Sequence, residues 1–393
     1  VKSELLLNLQ LILGTGLLIL LGVFTFVLIN RIRQRRAQII NLKSSEPSFP
    51  FPQRLGAALE GEMLSQARAK REELISAAYA HWLESFFLPD AEPGRAFVRT
   101  GVAKHWLRYQ LTTTSLAQAA GMLTCVLQAG ADPQAQTRFD ALLAFCLSRP
   151  SLNNPDLMSW QVMPDVVPGA RLDADPRAEA WLAFALLCAA AQWKRSSRFD
   201  YTQLATQRLD ALLAWINSGG SRSRIISPAF ARLFQDVSAK EEWLKFADLG
   251  QGQTGTIPAR VAETAASEAE VQLALLALAR GMLPELAETT TEQPILESEF
   301  HAKLTHLNAG LEESGANASD QKESFSRLSL LACYAADASE SGDAELSQEY
   351  WELLSQTNAQ ADDGLGATFR LIALMALNGN SWFTEAFTNP SVA

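Results

Sequence analysis

Apolar residues recur at i, i+3, i+4 and i+7 through Arg177 to Trp193, Gln203 to Trp215 and Glu268 to Met282. That period belongs to helices with one buried face or, where polar positions almost vanish, to helices buried all round. Convincing strand-type alternation is hard to find. Turn signals such as Asn153-Asn154-Pro155, Pro168-Gly169 and Gly219-Gly220 fall between the periodic runs. The pattern predicts an all-α chain. A two-layer helical toroid and a helical-repeat solenoid both fit it, and no repeat of fixed period is visible.

The first strong apolar run differs in kind. Leu11 to Ile29 carries no charge and only Thr15 and Thr25 as polar side chains, and Leu5 to Leu7 lengthens it beyond one bilayer crossing. This predicts a single N-terminal transmembrane helix. A cleaved signal peptide has a shorter apolar region ending in small residues, whereas this run ends in Asn30-Arg31-Ile32-Arg33-Gln34-Arg35-Arg36. Those arginines favour the cytoplasmic side, against Lys2 offset by Glu4 on the other flank. Residues 1–36 thus form an anchor with a basic flank. Residues 37–53, with Ser44, Ser45, Pro47, Ser48, Pro50 and Pro52, form a linker without regular helix. Residues 54–393 are long enough for one large helical domain with a substantial core.

Charge and composition narrow the chemistry. The formal net charge of −10 argues against sequence-independent nucleic-acid binding, which needs basic residues on phosphates. Glu285 to Glu323 is the most acidic and least apolar stretch, expected as an exposed loop with a helix. Cys125, Cys146, Cys188 and Cys333 lie in apolar runs without metal spacing and read as small buried hydrophobes. His301 and His306 are spaced wrongly for i, i+4 ligands. No metal or cofactor is expected, and neither a phosphate-cradling glycine loop nor a G-x-S-x-G elbow is present.

Several segments carry a resemblance. Thr113-Thr114-Ser115-Leu116-Ala117-Gln118-Ala119-Ala120-Gly121-Met122 resembles the T-T-S-E-G-Q-S-Y-G-M segment of glycoside hydrolase family 8, the bacterial cellulases and related endoglucanases. Glu179 to Trp193, with Leu182, Ala183 and Ala185, resembles the family's acidic residue followed by x-x-I-A-x-[SA] and a tryptophan. Aligning that triplet on Asp173-Ala174-Asp175 would misplace the tryptophan, so Arg177-Ala178-Glu179 takes the register. Trp82 to Phe87 with Gly94-Arg95, the segment Arg222 to Phe234 with Trp243, and Phe369 to Trp382 extend the likeness. The resemblance implies an (α/α)6 barrel.

It also implies losses. The family's glutamate in the first segment protonates the glycosidic oxygen, and Leu116 stands there. The third catalytic region matches only weakly, with Glu268 on the aspartate that activates water, or Ala265 there after a small shift. Two of the family's tyrosines fall on Ala120 and Ile225. Most glycosidases need two carboxyl groups flanking the scissile bond, so the expectation is a protein that is not an enzyme. It would be a membrane-anchored scaffold or accessory subunit of a bacterial exopolysaccharide machine of the cellulose type. Its partners would be the membrane, protein subunits of that complex and a β-glucan chain, with the domain on the cytoplasmic side of the inner membrane. Family 8 enzymes are usually exported, which makes the periplasm the alternative. An active, divergent endo-β-1,4-glucanase using Glu179 and Glu268 is the second reading, and a scaffold of a secretion system or pilus the third. Ser115, Gln118, Trp160, Arg177 and Glu179 are the candidate ligand-binding residues.

Overall fold

Three helices that are buried on nearly every side set the architecture: α2 (Ser115–Leu127), α4 (Pro176–Gln192) and α12 (Gly364–Leu377). The structure, a computed structural model, describes residues 45–53, 62–106, 108–166, 172–193, 196–219, 226–249, 268–287, 326–339, 344–357 and 363–388. The expected anchor (Leu11 to Ile29 and its arginines), Ile225, His301, His306 and most of the acidic stretch lie outside the described residues. Among the described residues, no helix is long and apolar enough to cross a membrane.

In chain order the helices are α1 (Glu62–Ser85), α2, α3 (Ala135–Leu147), α4, α5 (Tyr201–Asn217), α6 (Pro228–Ser238), α7 (Leu244–Leu249), α8 (Glu268–Met282), α9 (Pro284–Ala287), α10 (Arg327–Ala338), α11 (Ala344–Gln356), α12 and α13 (Phe383–Thr388). The ring of inner helices runs α2, α4, α6, α8, α10, α12 and back to α2. Phe230 of α6 meets Trp181 and Phe184 of α4 at ring-centroid distances of 4.7 and 4.9 Å. Gln128, just past α2, reaches Met375 Sδ of α12 at 3.1 Å. Gly281 of α8 lies where a Cβ would stand 2.3 Å from the Ala336 carbonyl of α10, so only glycine permits that approach. Helices α1, α3, α5 and α11 form an outer layer, with Trp82 Nε1 of α1 donating to Thr368 Oγ1 of α12 at 2.8 Å. This is the expected all-α (α/α)6 arrangement.

Among the described residues, five short strands qualify that expectation. β1 (Phe87–Pro89) pairs antiparallel with β2 (Ala96–Val98), and β3 (Gly101–His105), β4 (Arg108–Thr114) and β5 (Gln161–Val162) form an antiparallel sheet. They escape the sequence pattern because β4 grades from exposed to buried along its length instead of alternating. Their place is on the face where the inner helices begin. There the Arg99 carbonyl fills the space a Cβ on Gly364 would need, and a Cβ on Gly121 would meet Val98.

The segment expected as a linker is irregular from residue 45 to 53, as its prolines require. It is not, however, a free spacer. Phe49 and Phe51 are buried, and Phe49 stacks on Trp382 with centroids 4.3 Å apart. Gln192 Oε1 accepts from Phe49 N, Gln192 Nε2 donates to Phe49 O, and Phe51 N donates to Ala129 O. These anchoring residues follow the C-terminal ends of α2, α4 and α12. Two aromatic side chains supplied the apolar area that overrides the linker reading.

All four cysteines are buried free thiols. Burial pushes the Cys146 thiol up to about 12 and raises those of Cys125, Cys188 and Cys333 as well. A thiol-disulfide exchange reagent at mildly alkaline pH should therefore find no reactive thiol in the native protein and all four after guanidinium unfolding. Asp140 is also raised by burial, although the Tyr201 and Ser196 hydroxyls donate to it at 2.6 and 2.7 Å and lower it in part. The folded state therefore holds this proton more tightly than the unfolded chain, and stability should decline as pH rises from the ordinary aspartate value, about 3.9, through the raised one. In urea titrations across that interval, Asp140→Asn should flatten the decline.

Candidate active site

The N-terminal ends of the inner helices gather on one face of the barrel, and most begin on a polar cap. Thr114 accepts from Ala117 N to start α2, Asp175 from Arg177 N to start α4, Ser326 from Ser329 N to start α10, and Asp363 from Gly366 N to start α12. Strand β4 delivers Thr113 and Thr114 to the head of α2, where β5 pairs with them.

Leu116 occupies the first turn of α2, partly buried and packed against the core. Ser115 and Gln118 are buried beside it at 1 % and 0 % exposure. Neither is the cap, which is Thr114. Ser115 N donates to the Trp160 carbonyl at 3.0 Å, and Gln118 Nε2 donates to Thr113 Oγ1. Ser115 Oγ and Gln118 Oε1 have no protein partner. Both atoms are sealed from solvent, so they are unpaired polar groups within the packed head of α2 and not a surface open to a ligand. Trp160 is half-buried on the adjoining loop, its N–H donating to Asp173 O at 2.9 Å. The structure thus brings Ser115, Gln118 and Trp160 together.

Glu179 is a different case. It is fully buried and accepts from Met158 N at 2.8 Å and from Arg208 Nη1 of α5, itself 4 % exposed. Burial raises its carboxyl from the ordinary range, opposed by Arg208 and the Met158 N–H. Glu179 is thus wholly buried with both oxygens bonded inside the protein, and it does not line the cavity that Arg177 lines. Nor do Arg177 and Glu179 pair, because residues two apart on a helix point to opposite sides. Arg177 instead bonds Asp175 through Nε and Nη2 at 3.1 and 2.9 Å.

Arg177 lines a small open cavity with Trp181 of α4, Ile226, Ser227 and Phe230 at the start of α6, and Leu275 and Leu276 of α8. Glu268 opens α8 two turns before Leu275. Ala120 is buried at 1 % exposure within α2. Sequence reasoning passed over Asp175, although an aspartate before Pro176 at a helix start is a recognisable cap signal. Arg208 had no local signal, since its partner lies on another helix. Among the described residues no cluster of His, Cys, Asp and Glu could hold a metal ion.

Similarity to known proteins agrees with this geometry. The chain resembles an apo β-1,3-1,4-glucanase from Paenibacillus sp. X4, with a TM-score of 0.60 and 17% identity over 86% of this chain and 99% of that one. It also resembles a cold-adapted family 8 xylanase in complex with substrate, with a TM-score of 0.59 and 14% identity over 88% of this chain and 98% of the other. The fold is that of the family 8 glycoside hydrolases. In sequence, a beta-glucanase of Niallia circulans is 28% identical over 169 residues, which are 42% of this chain and 39% of that protein. The chain thus spans about two fifths of the length of that curated relative. No family model matches the chain.

These likenesses overturn the expectation that the protein is not an enzyme. The relative is a beta-glucanase, and the proteins sharing the family 8 fold are a glucanase and a xylanase. The physical reason the expectation failed is that it rested on single register positions, Leu116 above all.

The Glu179–Arg208 pair should matter for stability more than for chemistry. Glu179→Ala would leave a buried guanidinium without its partner and should cost about 3–5 kcal/mol in urea unfolding. A loss near zero would show that Arg208 finds another partner.

Proposed function

We propose that this protein is a glycoside hydrolase that cleaves β-linked glucan on the face where the inner helices begin. The likeness that carries this reading is the family 8 fold matched over nearly the whole length of a β-1,3-1,4-glucanase. Supporting it is the half-buried Trp160, suited to a sugar face. Asp175 and Glu268 are the two carboxyl groups assigned to the reaction. Asp175 stands at the head of α4, oriented by Arg177, which lines the cavity. Glu268 heads α8, whose Leu275 and Leu276 line the same cavity from the other side. One group protonates the leaving oxygen, and the other attacks the anomeric carbon or activates water there.

The apolar Leu11 to Ile29 run and the arginines after it support a membrane-tethered enzyme. The strap at residues 45–53 holds the chain to the opposite end of the barrel, which leaves the cleft turned away from the point of attachment.

Release of reducing ends from soluble mixed-linkage β-glucan tests the assignment. The wild-type protein should hydrolyse it, and Asp175→Asn and Glu268→Gln should each lower kcat by about 10²-fold or more, the scale of a lost general acid or base. Trp160→Ala should act mainly on KM. Absence of reducing ends with every β-glucan tried would overturn the proposal.

A further inference from the structure

The most exposed aromatic side chains crown the β3–β4 hairpin. Trp106 is 86% exposed and Tyr109 is 73% exposed, whereas every other one of the nine tryptophans is buried or half-buried. Exposure rises along the strands toward the turn: Thr112 to Thr114 are buried, Gln110 and Leu111 half-buried, and Arg108, Tyr109 and Lys104 exposed. His105 pairs with Arg108, so two residues close the hairpin, and Trp106 takes the first of those places with φ of 57°. Asn or Gly fills such a position at least cost. A tryptophan does nothing for the turn itself.

The charge around these rings is one-sided. No acidic residue falls between Glu92 and Asp132, a stretch that carries Arg95, Arg99, Lys104 and Arg108 in a chain of net charge −10. Neither Lys104 nor Arg108 forms a salt bridge among the described residues. Directly opposed residues of an antiparallel pair share a face, so Lys104 and Tyr109 lie on one face of the hairpin and His105 and Arg108 on the other. Such an end offers no single flat platform. It presents a cation on each face and an aromatic ring at the tip, an arrangement that suits a surface met end-on. Trp and Tyr settle at the level of lipid headgroups, and Lys and Arg beside them are drawn to anionic lipid.

The fold also puts the tip within reach of an anchored bilayer. β4 runs into the head of α2, while the strap begins with Ser45 N donating to Gln136 Oε1 at 2.7 Å, at the start of α3. Helices α2 and α3 pack together, with a Cβ on Gly121 of α2 standing 3.3 Å from Leu142 of α3. Hairpin and strap therefore flank one helix pair at its opposite ends, about 20 Å apart along α2. From Arg36, the last arginine after the apolar run, to Ser45 the chain can span at most about 30 Å, enough to cover that height. We propose that the hairpin tip, Trp106 with Tyr109, Lys104 and Arg108, is a second contact with a bilayer of anionic phospholipid, so that the barrel lies along the membrane. The proposal rests on the membrane-tethered reading, which keeps the bilayer within reach, and not on the identity of the substrate.

Tryptophan fluorescence of the full chain reconstituted into vesicles isolates the tip, since residues 1–44 contain no tryptophan and those of the barrel other than Trp106 are buried or half-buried. In vesicles of phosphatidylcholine with phosphatidylglycerol, brominated phospholipid should quench the part of the emission that Trp106→Phe removes. Lys104→Gln combined with Arg108→Gln should abolish that quenching, and all these variants should melt like wild type. Absence of quenching, or quenching as strong in phosphatidylcholine alone, would overturn the proposal. So would a blue shift of Trp106 in detergent as protein concentration rises, which marks a contact between copies, or on addition of soluble β-glucan, which marks a sugar site. Carbonate extraction reports the anchor separately. Resistance to carbonate without Trp106 quenching would sink the hairpin contact and leave the tether standing. Quenching in protein that carbonate releases would sink the tether and leave the tip as a lipid contact.

Discussion

The buried contact among Glu179, Arg208 and the Met158 N–H ties three separate elements of this protein together. It joins the inner helix α4 to the outer helix α5 and to the loop that carries Trp160. That loop continues into β5, which pairs with Thr113 and Thr114 and so fixes the head of α2. Removing two charges from water is costly, and such a pair adds little net stability over apolar packing. Its consequence is positional. A carboxylate with one guanidinium and one backbone donor to satisfy admits few arrangements of the three elements that meet on it.

Around that contact the barrel divides its labour between its two ends. The N-terminal ends of the inner helices carry caps, strands, partly buried carboxylates and the exposed hairpin. The C-terminal ends carry the strap, where Phe49 stacks on Trp382 and Gln192 bonds the Phe49 backbone in both directions. Gln53 N extends the attachment to Asn380 Oδ1 in the turn after α12. A helical toroid suits this division, because its layers are held by side-chain packing along the helices and the loops at either end are left to vary.

Much of the body was legible in advance. The helix periods at Arg177 to Trp193, Gln203 to Trp215 and Glu268 to Met282 correspond to α4, α5 and α8, and the buried positions of Trp82, Trp193 and Trp243 accompany the resemblance that named the barrel. The site was less legible. Matching by register set Leu116 where an acid was looked for and concluded that the chemistry was gone. The same matching gave Glu179 a possible catalytic role, although a helix with almost no polar positions leaves a lone glutamate nowhere to face except inward.

The sequence by itself determined where helices form, that the inner ones are buried all round, and that an apolar run with arginines precedes the domain, because each of these depends on residues near one another in the chain. Tertiary structure alone decided the rest. Arg208, from a separate helix, pairs with the buried Glu179, while Asp175 stays partly exposed at the head of the same helix, paired with Arg177. Two phenylalanines turn a proline-rich linker into a docked strap, and β4, which grades from solvent to core without alternating, delivers Thr113 and Thr114 to the head of α2. Pairing between distant segments leaves no period in the sequence, so only the fold reveals which charges are spent and which are available.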